Sequence, residues 1–368
     1  MEDRKIRIAI THGDTNGIGY EMIFKTFAEP EMLELCTPII YGSPKVAAYH
    51  RNVLGIQANF SIIYNAEEAC DGRLNLLTVL ENDTKVDLGE PTQESGEAAA
   101  KALLRAVEDK RKGLVDAIVG APVCDGNLKS GNAEYKDQTD LMEKETGEGA
   151  KALHMIVGKK MRLAFATTDI PLKEVTSAIT KELVERKAAA LHDTLCRDFR
   201  MSNPRIAILA VNPATDNDDN ADSEEATILK PAIEKLENEG RQVFGPYTAE
   251  QFFGKDQYTA FDGILAMYKD QGTIPYRTIE QENGIKICAA MPVVMTMPDM
   301  GPEFRKAGKG EAEEMTMRHA IYLAIDMVRN RADYDEARKD PLKKLYHERR
   351  DESEKARFNI PKKQVREE

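Results

Sequence analysis

No stretch of this 368-residue chain approaches the roughly 18 consecutive apolar residues that a membrane span requires. The opening Met1-Glu2-Asp3-Arg4-Lys5 is a charged lead into a strand and lacks the apolar core of a secretory signal, so a cytoplasmic protein is expected. Cysteine is scarce and odd in number. Cys36, Cys70, Cys124, Cys196 and Cys288 show no CxxC spacing, which argues against a disulfide framework and against a structural zinc site. The body of the chain also has no Lys/Arg-rich run, and its formal charge is -12. Nucleic-acid surfaces depend on clustered cations, so neither nucleic acid nor membrane is the expected partner. A small molecule is.

Apolar residues make up 42% of the chain, enough at this length to bury two cores more readily than one. Short β-branched runs alternate with amphipathic segments. Ile6–Ile10, Thr37–Tyr41, Asp116–Val119, Leu163–Thr167, Arg205–Val211, Gly263–Met267 and Ile285–Ala289 predict strands. Tyr20–Phe27, Ser95–Lys112, Lys181–Arg200, Glu224–Glu239 and Glu313–Arg329 predict helices. This alternation predicts an α/β fold with a mostly parallel sheet. Asp216–Glu225 is acidic and turn-rich and reads as a solvated loop, with a cation-binding loop as the alternative. From Arg331 onward the chain carries dense mixed charge and few apolar residues. Residues 1–330 are therefore expected to fold as the α/β region and 331–368 to form a charged tail, helical in part, that adds little to folding.

Several motifs fall at or just beyond strand ends, where open α/β sheets place ligands. The first is Thr11-His12-Gly13-Asp14-Thr15-Asn16-Gly17-Ile18-Gly19-Tyr20-Glu21. Its glycines let the backbone turn sharply into a helix, which can offer N–H groups to an anion, though the spacing is not GxGxxG and an ordinary turn would look the same. Others are Gly120-Ala121-Pro122-Val123, Gln138-Thr139, Thr167 to Leu172, Val211-Asn212-Pro213-Ala214, Met267 to Gly272 and Met297 to Gly301. Each alone is a loop punctuated by Pro or Gly.

In order and spacing, from about Ile6 to about Arg329, these segments resemble the 4-hydroxythreonine-4-phosphate dehydrogenase (PdxA) family. Gly13 to Glu21 matches its GDxxGIGxE, and Met267 to Gly272 matches its MYxDQG. The resemblance implies a two-lobed α/β/α subunit of the isocitrate dehydrogenase type, and a homodimer with the active site at the subunit interface. It also implies oxidation of a phosphorylated 3-hydroxy amino acid with NAD or NADP, followed by loss of carbon dioxide. A metal ion would polarise the hydroxyl and then stabilise the enolate.

The departures lie at the site. The histidine of the family's GHTE, a substrate contact, is matched by Gln138, while Thr139 is retained. The three metal-binding histidines of TTHxPL, NPHAG and MYHDQG match Asp169, Ala214 and Lys269. Three further substrate contacts match Arg277, Lys286 and Met295, and only Arg277 keeps the chemistry. DHG has become Asp299-Met300-Gly301, and the Lys that follows TxP is matched by Asp125. Ala214 has no donor and Lys269 is itself a cation, so no divalent metal is expected there.

The resemblance then implies Lys269 as catalytic cation and proton donor, tuned by Asp270 or Asp169. Gln138, Thr139 and Arg277 would contact a phosphorylated small molecule, and Gly13, Asp14, Gly17 and Gly19 a nicotinamide cofactor. It further implies that Lys269 and Asp169 come from different subunits and meet across the dimer interface. The alternative is a dimeric binding or regulatory protein without chemistry.

Overall fold

The computed structural model describes residues 4–80, 84–147, 149, 151–213, 222–281 and 284–340. Ala214 and most of the acidic loop, residues 216–221, lie outside the described residues, as does the chain beyond 340.

The strands are β1 (Arg7–Thr11), β2 (Thr37–Gly42), β3 (Ser61–Ile63), β4 (Asn75–Thr78), β5 (Ala117–Gly120), β6 (Leu128–Ser130), β7 (Ala133–Tyr135), β8 (Leu153–Val157), β9 (Arg162–Phe165), β10 (Arg205–Leu209), β11 (Gln242–Tyr247), β12 (Gly263–Ala266), β13 (Ile285–Ala289) and β14 (Met295–Pro298). Apart from the small β6–β7 hairpin they form one 12-stranded sheet, in the order β11-β10-β12-β9-β8-β13-β14-β5-β1-β2-β4-β3. Its pairings are parallel except at β9–β8, β8–β13 and β13–β14. Two parallel halves of opposite direction are thus sewn together by an antiparallel seam.

The parallel strands are covered on both faces by helices, so they are apolar throughout. In β1, Ile8 and Ile10 enter one core and Ala9 the core on the opposite face. Helices Gly19–Thr26, Lys181–Asp198 and Met315–Lys339 cover the first face, and the Ala-rich helix Gln93–Arg111 covers part of the second. Thr92 begins that last helix, its hydroxyl accepting from Ser95 N while Ser95 Oγ accepts from Thr92 N, a capping box.

All the strands expected from the sequence form. The ones that periodicity missed are informative. β8 reads LHMIV and β14 reads MTMP, with methionine, histidine and proline where β-branched residues would signal a strand. Both belong to or flank the seam. The helix Lys269–Glu280 contains Gly272 and Pro275 and reads as a loop, yet it follows β12 directly.

The boundary placed at Arg331 falls inside the helix Met315–Lys339. Arg331 is buried and forms a bidentate ion pair with Asp198, Nε to Oδ1 2.6 Å and Nη2 to Oδ2 2.9 Å. Arg197 with Asp335 and Arg200 with Asp333 continue the contact outward. These interactions dock the first part of the supposed tail onto the α/β region. Sparse apolar residues concealed it, because the docking is ionic.

Candidate active site

A cavity of about 240 Å³ opens over the antiparallel seam. Register puts Ile156 of β8, Lys286 of β13 and Met297 of β14 in one row across the sheet, and all three line it. The walls come from segments that leave strand ends: Val123 and Asp125 after β5, Thr168 and Asp169 after β9, and Asp299 to Gly301 after β14. Two helices start at its edge, Gln138–Thr146 and Lys269–Glu280. The first begins because the Asp137 carboxylate accepts from Asp140 N at 2.7 Å.

The site holds two ionic groups. Lys269 Nζ donates to Asp169 Oδ1 at 2.8 Å, with side chains 47% and 46% exposed. Partial desolvation disfavours the ammonium. The Asp169 hydrogen bond and the charges of Asp169, Asp125 and Asp137 outweigh that effect, holding the Lys269 pKa above its ordinary range. Lys269 is therefore a permanent cation. In the second group, the buried Asp299 carboxylate faces Arg277 at 2.6 Å and Lys286 at 3.3 Å. Two cations share one carboxylate there, in a lining that also holds Asp125 and Asp137. Desolvation by the cleft walls raises the Asp125 carboxyl against the opposing pull of Lys286.

Lys269 and Asp169 meet within a single subunit, which corrects the expectation that they would approach across a dimer interface. β9 and β12 are adjacent parallel strands, so the segments after them emerge side by side.

Gln138 and Thr139 line the cavity, and both are buried. Gln138 Nε2 donates to Ala121 O at 3.1 Å, and its Oε1 approaches Gly120 so closely that a methyl group there would collide with it. Arg277 also lines the cavity. Asp270 does not; it is exposed in the first turn of its helix. Met295 is buried in β14.

Gly13, Asp14, Gly17 and Gly19 are interior and do not line the cavity. Asp14 N donates to Pro122 O, Ile18 N to Pro302 O and Gly17 N to Asp14 O. The Asp14 carboxylate accepts from Asn16 N and Ser95 Oγ. A Cβ on Gly13 would strike Pro122 O, and one on Gly17 would strike Pro302. The glycines allow the loop to pack directly behind the wall segments 121–125 and 299–302, which it fixes in place.

The amides of Asp14, Asn16, Gly17 and Ile18 thus have partners inside the protein. Asp14 and Gly17 therefore offer no free amide to a nicotinamide cofactor, and Gly13 and Gly19 are buried behind the wall. At the metal position Asp169 is paired with the Lys269 ammonium, and a fixed cation at that point does not fit a divalent metal ion.

One cavity residue carried no signal in the sequence. His154 faces the site from β8, a strand that periodicity did not reveal. Alternation along a recognised strand would have put His154 and Ile156 on one face.

Fold and cavity together define a mostly parallel α/β subunit with a polar, charged cleft at the seam between its halves. Among the described residues, no helix is long and apolar enough to cross a membrane. The sequence model described as pyridoxal phosphate biosynthetic protein PdxA matches residues 34–324. A 4-hydroxythreonine-4-phosphate dehydrogenase of Bacteroides thetaiotaomicron is 46% identical over 359 residues, covering 98% of this chain and 99% of the relative. A D-threonate 4-phosphate dehydrogenase of Cupriavidus necator is 31% identical over 335 residues, covering 90% and 100%. The crystal structure of the 4-hydroxythreonine-4-phosphate dehydrogenase of Klebsiella pneumoniae superposes with a TM-score of 0.77 at 26% identity, covering 89% of this chain and 99% of that one. The chain belongs to the PdxA family, whose oxidoreductases serve pyridoxal phosphate biosynthesis.

Proposed function

We propose that the cleft binds a small phosphorylated hydroxy acid and handles it without a divalent metal, with Lys269 as the fixed positive charge. The observation that carries this reading is the Lys269–Asp169 pair inside the cavity, at 2.8 Å. The names of both relatives contain a 4-phosphorylated ligand. Arg277 and Lys286 are the groups for its phosphate, since a guanidinium and an ammonium stand side by side on the cavity lining, both drawn to the Asp299 carboxylate. Lys269 can donate to the ligand's hydroxyl oxygen and stabilise negative charge on it. As a pre-positioned ammonium held by Asp169, it needs no reorganisation to do so.

A homodimer belongs to the same reading. Ile170, Leu172 and Ile274 expose apolar side chains beside the cleft, Leu172 at 72% and Ile274 at 64%. A second subunit would cover them.

The test is calorimetry with 4-hydroxythreonine 4-phosphate, with and without EDTA, followed by rates with NAD or NADP under the same conditions. Binding and turnover that persist in EDTA are expected. Loss of both on chelation, with recovery on adding Mg²⁺ or Zn²⁺, would overturn the metal-free reading. Binding without turnover for either nucleotide would favour a ligand-binding protein on this fold.

A further inference from the structure

The family's imidazole is missing at position 138, yet an imidazole still faces this cleft. His154 is the one histidine among the described residues that lines it. His12 and His50 are interior, His192 lies on the helix Lys181–Asp198 and His319 on the helix Met315–Lys339. Register pairs His154 with Cys288 of β13, and Cys288 Sγ lies 3.4 Å from Thr139 Oγ1. The imidazole is therefore a close neighbour of the helix start at Gln138 and Thr139. It is carried by a strand, whereas Gln138 is carried by a helix start.

The other polar groups of the cleft are poor proton acceptors. Lys269 stays charged, and Arg277 is a guanidinium. Asp169 and Asp299 are bound to cations. Gln138 is an amide with no useful basicity. His154, Asp125 and Asp137 remain: the Asp137 carboxylate is engaged as a helix cap by Asp140 N at 2.7 Å, and Asp125, though raised by desolvation, belongs to an exposed residue at the rim.

We propose that His154 is the proton acceptor of this cleft, taking the proton of the ligand's hydroxyl while Lys269 holds the oxygen. The O–H bond breaks, an N–H bond forms on the imidazole, and the electron pair stays on oxygen opposite the Lys269 ammonium. This deepens the proposed function and rests on it.

The groups facing His154 fit the role. Burial lowers its pKa and Lys187, from the helix behind, does so as well; Asp137, Asp169 and Glu143 pull the other way without reversing the shift. Lys286 stands beside it on the neighbouring strand, and Lys269 and Asp125 line the same cavity. The imidazole is thus neutral at pH 7 and has a lone pair to offer, with Asp137 and Asp169 near enough to stabilise the imidazolium once formed.

The experiment follows the His154 ring by NMR from pH 4 to 9, in the free protein and saturated with 4-hydroxythreonine 4-phosphate, beside calorimetry on His154→Gln, Asp125→Asn and Lys269→Met. The bound phosphate's charge should move the His154 midpoint upward, and His154→Gln should bind the probe within about threefold of the wild type. His154→Gln should also lose the acid limb of the pH–rate profile and about a hundredfold in kcat, whereas Asp125→Asn keeps both. A His154 midpoint unmoved by saturating probe overturns the proposal, as does loss of the acid limb in Asp125→Asn instead. If the wild type fails to bind the probe, the proposed function itself fails and the role of His154 falls with it. Retained probe binding with an unchanged pH profile in His154→Gln defeats only the proton role.

Discussion

Lys269 and Asp169 lie a hundred positions apart in sequence and meet at 2.8 Å within one subunit, each about half exposed. Exposed pairs of this kind contribute on the order of 0–1 kcal/mol. Lys269→Ala should therefore leave the unfolding midpoint and the oligomeric state almost unchanged, and lower affinity for a phosphorylated hydroxy acid at least tenfold. Urea unfolding, light scattering and calorimetry on one preparation separate these effects. A large loss of stability would mean that the pair is structural.

Asp299 has the opposite profile, since its carboxylate is 3% exposed between two partly exposed cations. Asp299→Asn should cost roughly 1–3 kcal/mol, the range for a charged hydrogen bond lost in a partly wet site. It should also strengthen binding of inorganic phosphate, because the lining would lose the negative charge that faces Arg277 and Lys286. Urea titration and phosphate calorimetry give the two signs.

Arg331 is the deepest ion-paired residue of the final helix. Besides Asp198 it donates to Met291 O at 3.0 Å and Pro292 O at 3.2 Å. Arg331→Ala leaves the Asp198 carboxylate buried without its partner, at a cost of about 3–5 kcal/mol. Truncation after Asn330 should lower the melting temperature substantially, and truncation after Asp340 should not. Differential scanning calorimetry on both truncated chains decides it.

Gly19 follows the same packing rule as Gly13 and Gly17, since a methyl group there would overlap His12 O. Gly19→Ala should destabilise by about 1–3 kcal/mol through overpacking. It should also weaken ligand binding, because the loop supports both wall segments. Gly72 has nothing within 4 Å of a Cβ, although its φ of +70° adds some strain, and Gly72→Ala serves as the control. Only the first should affect the cleft.

Acid should unfold the protein early for a reason inside that same loop region. Burial lowers the pKa of both His12 and His50 to about 4 from 6.5. Below pH 6.5 the unfolded chain binds protons that the folded protein refuses. This contribution is complete above pH 6.5 and erodes as pH falls toward 4, by roughly 3 kcal/mol for each histidine. Urea midpoints measured between pH 7 and 4.5 should fall steeply in the wild type and less so in His50→Gln.

The sequence by itself determined the α/β class, the helices with an unbroken apolar stripe, and the strands built of β-branched residues such as Arg205–Leu209 and Ile285–Ala289. It also supplied the family, because motifs at strand ends keep their order whatever the packing. The roles of the motif residues were another matter. Periodicity reports which face of an element is apolar and says nothing of what stands opposite. Only the tertiary structure could show that Gly13 to Gly19 buttress two walls from behind, that Lys269 and Asp169 share one subunit, and that Arg331 is buried. The seam is the clearest case. β8 and β14 carry histidine, methionine and proline because they line or flank a cavity, so the residues that make the site also erased the strand signal that would have located it.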